Sequence, residues 1–200
     1  PGIYNPFSLL NALQKRTFGS YWFETGTPSY LVELLKRHDF KLKELNGIEV
    51  KSSVLNSIDA SSTNPVPVIF QSGYLTIKGY KPRVKLYKLD FPNEEVKEGF
   101  LFYLLPFYTS VSENDTGFHI DCFVNEVESG QIEAFIDRLK IFFANVPYDL
   151  IKDTENHYQN VLFILCNLCG LYTKAEFHTS NGRVDMTIET PDYVYIFEFK

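Results

Sequence analysis

Two carboxylates and a lysine near the end of the chain have the types and the spacing that metal-assisted chemistry on a phosphate ester requires. Asp185 is separated by twelve residues from the segment Glu198-Phe-Lys200. Pro191-Asp192 lies midway between them and is typical of a turn. Two strands that fold back symmetrically about this turn place Asp185 directly opposite Glu198.

The flanking residues favour the same register, because side chains alternate between the two faces of a strand. Arg183 then lies opposite Lys200, and one end of one face carries Asp185, Glu198 and Lys200. The other face is apolar and consists of Val184, Met186 and Ile188 on the first strand and Tyr195, Phe197 and Phe199 on the second. A slip by one residue would mix the two sets, so the pattern itself supports the register.

A divalent cation is the group that would stabilise these opposed acids. Directly opposed residues have Cβ atoms about 4.5–5.5 Å apart, and like charges at that distance repel each other. Mg²⁺ prefers oxygen ligands in octahedral geometry, with water and substrate phosphate completing its shell. We therefore predict Asp185, Glu198 and the backbone carbonyl of Phe199 as ligands of Mg²⁺ or Mn²⁺. Lys200 would reach the attacking water or the negative charge that develops on the phosphate.

The spacing of Asp185 and Glu198-Phe-Lys200 resembles the D…(D/E)xK motif of the PD-(D/E)xK nuclease superfamily. The helix before the hairpin, the Gly182-Arg183 lead-in and the apolar strand 193–197 also lie where that fold has them. The resemblance implies Mg²⁺-dependent hydrolysis of DNA or RNA, with Asp185 and Glu198 as metal ligands and Lys200 as the catalytic lysine. It adds Glu155, from the preceding helix, as a further acidic residue. It also implies that the chain ends before the strand and helix that complete this fold.

Three earlier segments resemble bacterial AAA-ATPase-like proteins that carry a PD-(D/E)xK domain at their C-terminus. The segments are 21–31, 71–77 and 91–96. The resemblance implies an ATPase lid or accessory region at 1–115, a helical connector at 116–150 and the N-terminal part of a nuclease-like domain at 151–200. No G-x-x-x-x-G-K-[ST] motif occurs, so ATP is expected only in an upstream domain. The start at Pro1 rather than Met favours a piece of a longer protein, truncated at both ends.

Apolar periodicity predicts an α+β fold. Helices are expected from Pro6 with Leu9, Leu10 and Leu13 on one face, from Pro28 with Leu31, Leu34 and Leu35 at helical spacing, and over 93–108, 131–143 and 153–172. Strands are expected at 68–77, at 84–89 after a turn at Gly79–Pro82, and in two runs between Phe177 and Lys200. The first β-piece could belong to a winged-helix-like module or be a plain extension of a helical domain.

The charge of the chain limits how it could hold a partner. The formal net charge is −6, which argues against gripping nucleic acid by charge alone. It does not exclude a site in which bound metal supplies the positive potential. No apolar stretch approaches the ~20 residues that cross a bilayer, and no secretory signal opens the chain. We expect a cytoplasmic protein without a membrane partner, acting on nucleic acid, and leave a homo-oligomer open.

Cysteine and histidine offer no second chemical site. Cys166 and Cys169 have the CxxC spacing of zinc and redox sites, but they lie in an apolar helical pattern without a second pair. Buried structural thiols are the favoured interpretation. The four histidines are scattered without zinc-site spacing, and they are His38, His119, His157 and His178.

Two functions follow from this sequence. The first is a nuclease domain fused to part of an ATPase. The second is a non-catalytic interaction or regulatory module, in which the terminal hairpin is a degenerate scaffold with a cross-strand Glu–Lys pair at its solvated end. Metal affinity at Asp185 and Glu198 separates the two.

Overall fold

A computed structural model describes residues 6–17, 19, 21, 29–56, 64–143, 154–170, 172–179 and 182–197. For Glu113, Thr154, 172–179 and 182–186 it describes the backbone only. The chain divides into two compact units: residues 1–40 with 44–100, and residues 41–43 with 101–200. The division near residue 100 falls within a helix. The boundaries predicted from the sequence, at 115 and 150, stay predictions, and residue 150 lies outside the described residues.

The first unit joins short helices to a small antiparallel sheet. Its elements are α1 (Pro6–Lys15), α2 (Ser29–Arg37), β1 (Ile48–Lys51), α3 (Ser52–Leu55), α4 (Val66–Gln71), β2 (Thr76–Lys81), β3 (Leu86–Asp90) and the start of α5 (Glu94–Tyr108). The 3-10 helix Leu42–Leu45 is divided between the units, with Leu42 and Lys43 in the second. The sheet has the order β1-β3-β2. Both predicted N-terminal helices are confirmed, although Thr27 and Pro28 lie outside the described residues. Helices and small antiparallel sheets together confirm the α+β class.

The apolar faces of the first two helices differ in burial. Leu31, Leu34 and Leu35 of α2 are buried. The leucines of α1 are exposed instead, and Leu10 and Leu13 are 66% and 67% exposed. Helical spacing therefore identified the helix but not the environment of its apolar face.

The segment predicted as a strand from Val68 is helical at its start. Pro65 and Pro67 lie at the N-terminus of α4, where proline is tolerated, and Asn64 Oδ1 accepts a hydrogen bond from the Val66 amide at 3.0 Å. Gly73, with φ +82°, follows the helix, and strand β2 begins only at Thr76. The predicted turn at Gly79–Pro82 also lies later, at residues 82–85, and Gly79 belongs to β2 beside a register shift.

The second unit sets helices beside a second three-stranded sheet. Its elements are the rest of α5, α6 (Glu113–Glu128), α7 (Ile132–Phe143), α8 (Thr154–Leu168), β4 (Tyr172–Thr179), β5 (Gly182–Glu189) and β6 (Val194–Phe197). The sheet is antiparallel with the order β4-β5-β6. None of the helices in the described part of the chain is long and apolar enough to span a membrane.

Helix α6 occupies a stretch that has little apolar pattern and was not predicted as a distinct helix. Ser112 caps it, since its hydroxyl oxygen accepts a hydrogen bond from the Asp115 amide. The predicted helix α7 is confirmed, but only half of its apolar stripe is inside. Phe135, Leu139 and Phe142 are buried, whereas Ile132 and Ile136 are exposed.

A salt bridge joins α6 to α7. Arg138 Nε lies 2.9 and 2.8 Å from the two carboxylate oxygens of Glu126, and Nη2 lies 2.5 Å from Oε1. The side chains are 17% and 12% exposed, so the pair is largely shielded from water. The bond to Glu126 raises the pKa of Arg138. This bidentate salt bridge fixes the orientation of α6 relative to α7.

Helix α8 is the most buried helix of this unit, and every residue of 161–166 is buried. Asn160 Oδ1 accepts a hydrogen bond from the Leu42 amide at 2.8 Å. Gly170, with φ +65°, follows the end of the helix, as predicted. Tyr172 begins β4 rather than continuing the helix, because the left-handed glycine redirects the chain.

Cys166 in α8 is buried, and Cys169, just after the helix, is partly buried. Burial raises the pKa of Cys166 well above 9.0 and raises the pKa of Cys169 to about 12. A thiolate is therefore strongly disfavoured at neutral pH, in agreement with the favoured interpretation of the CxxC pair.

This burial predicts a loss of stability at alkaline pH. The Cys169 thiol ionises near its ordinary pKa in the unfolded chain but stays protonated in the fold, so stability falls as pH rises from about 9 towards about 12. At pH 10 the loss is about 1.4 kcal/mol. Urea unfolding at pH 8 and pH 10 should show a smaller pH effect in Cys169→Ala than in the wild type. An unchanged pH effect would contradict the assignment, and Cys122→Ala, which removes a cysteine of α6 in the same unit, is the control.

Candidate active site

The β5–β6 hairpin has the register predicted from its sequence over its four described pairs. The pairs are Met186–Phe197, Thr187–Ile196, Ile188–Tyr195 and Glu189–Val194. The Thr190 amide donates to the Tyr193 carbonyl at 2.9 Å, and the Tyr193 amide donates to Thr190 Oγ1 at 3.0 Å. The Pro191-Asp192 turn therefore joins the strands symmetrically, as expected.

The structure describes some of the predicted site residues and not others. The backbone of Asp185 lies in β5, one residue before Met186. Glu198, Phe199 and Lys200 lie outside the described residues, so their positions stay predictions. Within the described part of the chain, no group of three or more His, Cys, Asp or Glu side chains could hold a metal ion. That statement does not include the Asp185 and Glu198 side chains.

Strand β4 adds a residue that sequence analysis missed. Ala175 pairs with Met186 and Phe177 pairs with Val184, so Glu176 lies at the register position opposite Asp185. The next pair in the same alternation is His178 with Arg183. A period-two pattern in 173–178 was a readable signal, but the predicted helix extended to Tyr172 and the predicted strand began only at Phe177.

The apolar face of the hairpin is anchored on α6 and α7. Phe135 of α7 is fully buried, and its ring centroid lies 6.0 Å from that of Tyr195 and 5.8 Å from that of Phe197. The Tyr195 hydroxyl donates to the Val127 carbonyl at 2.6 Å, near the end of α6. Ile188 is also fully buried. Strand β6, which leads directly to Glu198, is thus held by aromatic packing and one hydrogen bond.

The opposite face of the hairpin is mixed, with Thr187 and Glu189 on β5 facing Ile196 and Val194 on β6. Thr187, two residues from Asp185 on β5, has a buried Oγ1 that finds no hydrogen-bond partner among the described residues. Its cross-strand neighbour Ile196 is 64% exposed, as is Val194 at 65%. Only the Tyr195 and Phe197 face of β6 is covered by the helices.

Glu155 lies in the first turn of α8 and is exposed. Its Oε1 accepts a hydrogen bond from Gln159 Nε2 at 3.0 Å, one turn along the same helix. No described contact joins Glu155 to the hairpin, so its role as a further acidic residue of the site stays a prediction.

Gly130, between α6 and α7, allows Tyr193 to pack closely over that loop. A Cβ at Gly130 would lie 2.5 Å from Tyr193 Cζ, and the φ of Gly130 is +72°. Gly130→Ala should therefore lower the free energy of unfolding by about 1–2 kcal/mol from the left-handed backbone alone. Guanidinium denaturation measures the change. Adding Tyr193→Ala should relieve the clash but not the backbone strain.

Gly117 supplies the matched control for that substitution. It lies inside α6, and a Cβ there meets nothing within 4 Å. Gly117→Ala should raise stability by about 0.5–1 kcal/mol, because alanine is the better helix former. Equal effects at the two glycines would contradict the account of Gly130.

Comparison with known proteins agrees with the hairpin geometry. Residues 153–200 match the PD-(D/E)XK nuclease superfamily. The match begins beside α8, continues through the three strands and includes Asp185, Glu198 and Lys200. It confirms the resemblance seen in the terminal motif, and it covers none of the first unit.

One relative extends over nearly the whole chain. It is a protein of Azotobacter chroococcum mcd 1 described as an uncharacterized protein in the vnfD 5' region, and it is 36% identical over 212 residues. The match covers 99% of this chain but 40% of that protein. No solved structure matches the chain. Neither comparison supports an AAA-ATPase-like region, so that resemblance stays a prediction.

Proposed function

We propose that the protein containing this chain hydrolyses phosphodiester bonds in DNA or RNA with the help of Mg²⁺ or Mn²⁺. Asp185 and Glu198 act as metal ligands, and Lys200 acts as the catalytic lysine. The observation that carries the proposal is the pairing of Met186 with Phe197. One further step in that register leads to Asp185 and Glu198, inside the segment that matches the nuclease superfamily.

The carboxylates of Glu176, Asp185 and Glu198, which we call the acidic row, fit a hard divalent cation. Glu176 is at the register position opposite Asp185 on β4, and one further pair in the β5–β6 register would place Glu198 on the other side of Asp185. Three acids in one row of a sheet repel each other unless a cation or a proton intervenes. Their oxygens, with the Phe199 carbonyl, are ligands that Mg²⁺ prefers.

A bound cation supplies positive charge against the negative charge that develops on the phosphate during hydrolysis. Lys200 is two residues beyond Glu198 in the sequence, so a continuation of β6 would put it on the same face as the acids. There it donates hydrogen bonds to the attacking water or to a phosphate oxygen. The packing of Tyr195 against Phe135 holds β6 in place when the acidic row binds a metal ion.

The wider parts of the proposal concern the longer protein. A lid or accessory region of an AAA-type ATPase at 1–115, with ATP bound upstream, rests on the sequence resemblance alone. The three-stranded sheet of the first unit is compatible with a winged-helix-like module or with a plain β-extension. A cytoplasmic location and the choice between DNA and RNA belong to the same untested group.

Metal titration combined with a cleavage assay tests this function. Calorimetric titration of the longer protein with Mn²⁺ should show saturable binding that is lost in Glu198→Ala. Cleavage of single- and double-stranded DNA and RNA with Mg²⁺ or Mn²⁺ should be lost in Asp185→Ala and in Lys200→Ala. A folded wild type that binds no metal and leaves every nucleic acid uncut overturns the proposal, and a non-catalytic interaction module is then the remaining function.

A further inference from the structure

The β2–β3 hairpin of the first unit concentrates positive charge in a chain that is acidic overall. Residues 77–89 contain five basic side chains and no acidic ones, whereas the whole chain has a net charge of −6. The basic residues are Lys78, Lys81, Arg83, Lys85 and Lys88. A net charge summed over 200 residues hides this local excess.

Two of the five basic residues are engaged inside the unit and three are available. Lys81 forms a salt bridge with Glu49 of β1, and Lys78 Nζ donates to the Pro92 carbonyl at 2.8 Å. Arg83, Lys85 and Lys88 are exposed and form no salt bridge with the residues described, although Lys88 is at the register position opposite Glu49.

The framework that carries these three residues is well packed. Leu89 of β3 is fully buried, and the rings of Tyr80 and Tyr87 face each other across the strands with centroids 4.8 Å apart. Arg83 and Lys85 belong to the turn that joins β2 to β3. The hairpin therefore presents its charges from a defined position rather than from a loose tail.

Protection of sheet edges does not explain this placement. Lysines on edge strands discourage pairing between molecules. Lys88, however, lies on β3, the central strand of the order β1-β3-β2, and Arg83 and Lys85 lie beyond the ladder in the turn. Five basic residues and no acidic one in 77–89 instead make a local positive charge of the kind that attracts phosphate groups.

We propose that Arg83, Lys85 and Lys88 bind the phosphate backbone of nucleic acid. The choice of partner rests on the proposed function, since a phosphodiesterase acts on a polymer of phosphates. Contacts of this kind position the polymer without reading its sequence. The hairpin thus supplies substrate affinity that the acidic row of the second unit cannot provide.

Fluorescence anisotropy tests this contact without any hydrolysis. The 200-residue chain is titrated, in EDTA, into a labelled 24-base-pair DNA and a labelled RNA strand over a range of salt concentrations. Each lost phosphate contact lowers the slope of log K against log salt by about 0.9 on duplex DNA, so Arg83→Gln/Lys85→Gln/Lys88→Gln should lower it by about 2–3. Affinity at about 50 mM salt should fall by about tenfold or more.

A variant with the same change of charge elsewhere is the matched control. Arg16→Gln/Lys41→Gln/Lys140→Gln removes three exposed basic residues outside this sheet and should keep affinity within about twofold. Circular dichroism checks the fold of each variant. If the triple hairpin variant does not fold, Arg83→Gln/Lys85→Gln changes only the turn and should lower the slope by about 1–2.

Several results would overturn the hairpin proposal: no binding by the wild type, equal losses in the hairpin and control variants, or binding to phosphatidylserine vesicles as tight as to DNA. Failure of the two proposals is distinguishable. A chain that binds through the hairpin while the longer protein never cleaves refutes hydrolysis alone. A longer protein that cleaves, with binding unaffected by the hairpin variant, refutes the hairpin contact alone.

Discussion

Lys200→Met should slow cleavage by the longer protein by about 10²–10³-fold while leaving its affinity for Mn²⁺ within about twofold. The amine stabilises charge and positions water but is not a metal ligand in the proposed site, so its loss removes an interaction of the transition state alone. Single-turnover cleavage at saturating metal measures the rate, and calorimetry measures the affinity.

Asp185→Asn should lower metal affinity more than it lowers the cleavage rate at saturating metal, because a neutral amide weakens the metal site itself. Metal affinity should fall first, and part of the activity should return at high Mn²⁺ concentration. Glu176→Gln, at the position opposite Asp185, should lower metal affinity less than Asp185→Asn does. Lys174→Met, at the register position beside Thr187, is the control for loss of a lysine on β4. Equal loss of metal binding in Lys200→Met and Asp185→Asn would contradict the separate roles.

The terminal hairpin was predictable because three independent local signals agree there. A Pro-Asp turn, strict alternation and a separation of apolar from charged residues all specify the same register, and the pairs from Met186–Phe197 to Glu189–Val194 have it. Sequence analysis missed Glu176 because the end of α8 and the start of β4 are separated only by a short turn around Gly170. The third position of the acidic row could therefore be identified only from the pairing of β4 with β5.

Other elements depend on context that periodicity does not contain. The run Val68-Ile-Phe has strong strand propensity, but two prolines and the hydrogen bond from the Val66 amide to Asn64 Oδ1 favour the start of a helix there instead. The leucines of α1 and those of α2 have similar spacing, yet only those of α2 are buried. Burial is decided by which surfaces lie nearby, and a single helix carries no information about its neighbours.

Local charge was likewise missed by whole-chain arithmetic. The formal net charge of −6 argued against electrostatic binding of nucleic acid, although five basic residues lie within the β2–β3 hairpin. Formation of the β2–β3 turn brings Arg83 and Lys85 to the same end of the sheet as Lys81. Charge patterning by element is therefore the better guide to a binding surface than the total.

Phe135→Ala should lower the free energy of unfolding of the chain by about 3–5 kcal/mol, the usual range for a fully buried phenylalanine. The ring contacts Phe123 within the α6–α7 pair, at a centroid distance of 4.8 Å, and it contacts Tyr195 and Phe197 of β6. Its removal leaves a cavity between the helices and the strand that leads to Glu198. Chemical denaturation measures the loss.

Ile136→Ala separates this effect from a general cost of truncating α7. Ile136 is the next residue and is 38% exposed, so its truncation should cost less than about 1 kcal/mol. Under conditions where Phe135→Ala is still folded, hydrogen exchange should be faster in the amides of β6 than in those of α8, because β6 has lost its main apolar support. Uniform acceleration throughout the second unit would mean that Phe135 stabilises the unit as a whole and does not specifically anchor the strand next to the acidic row.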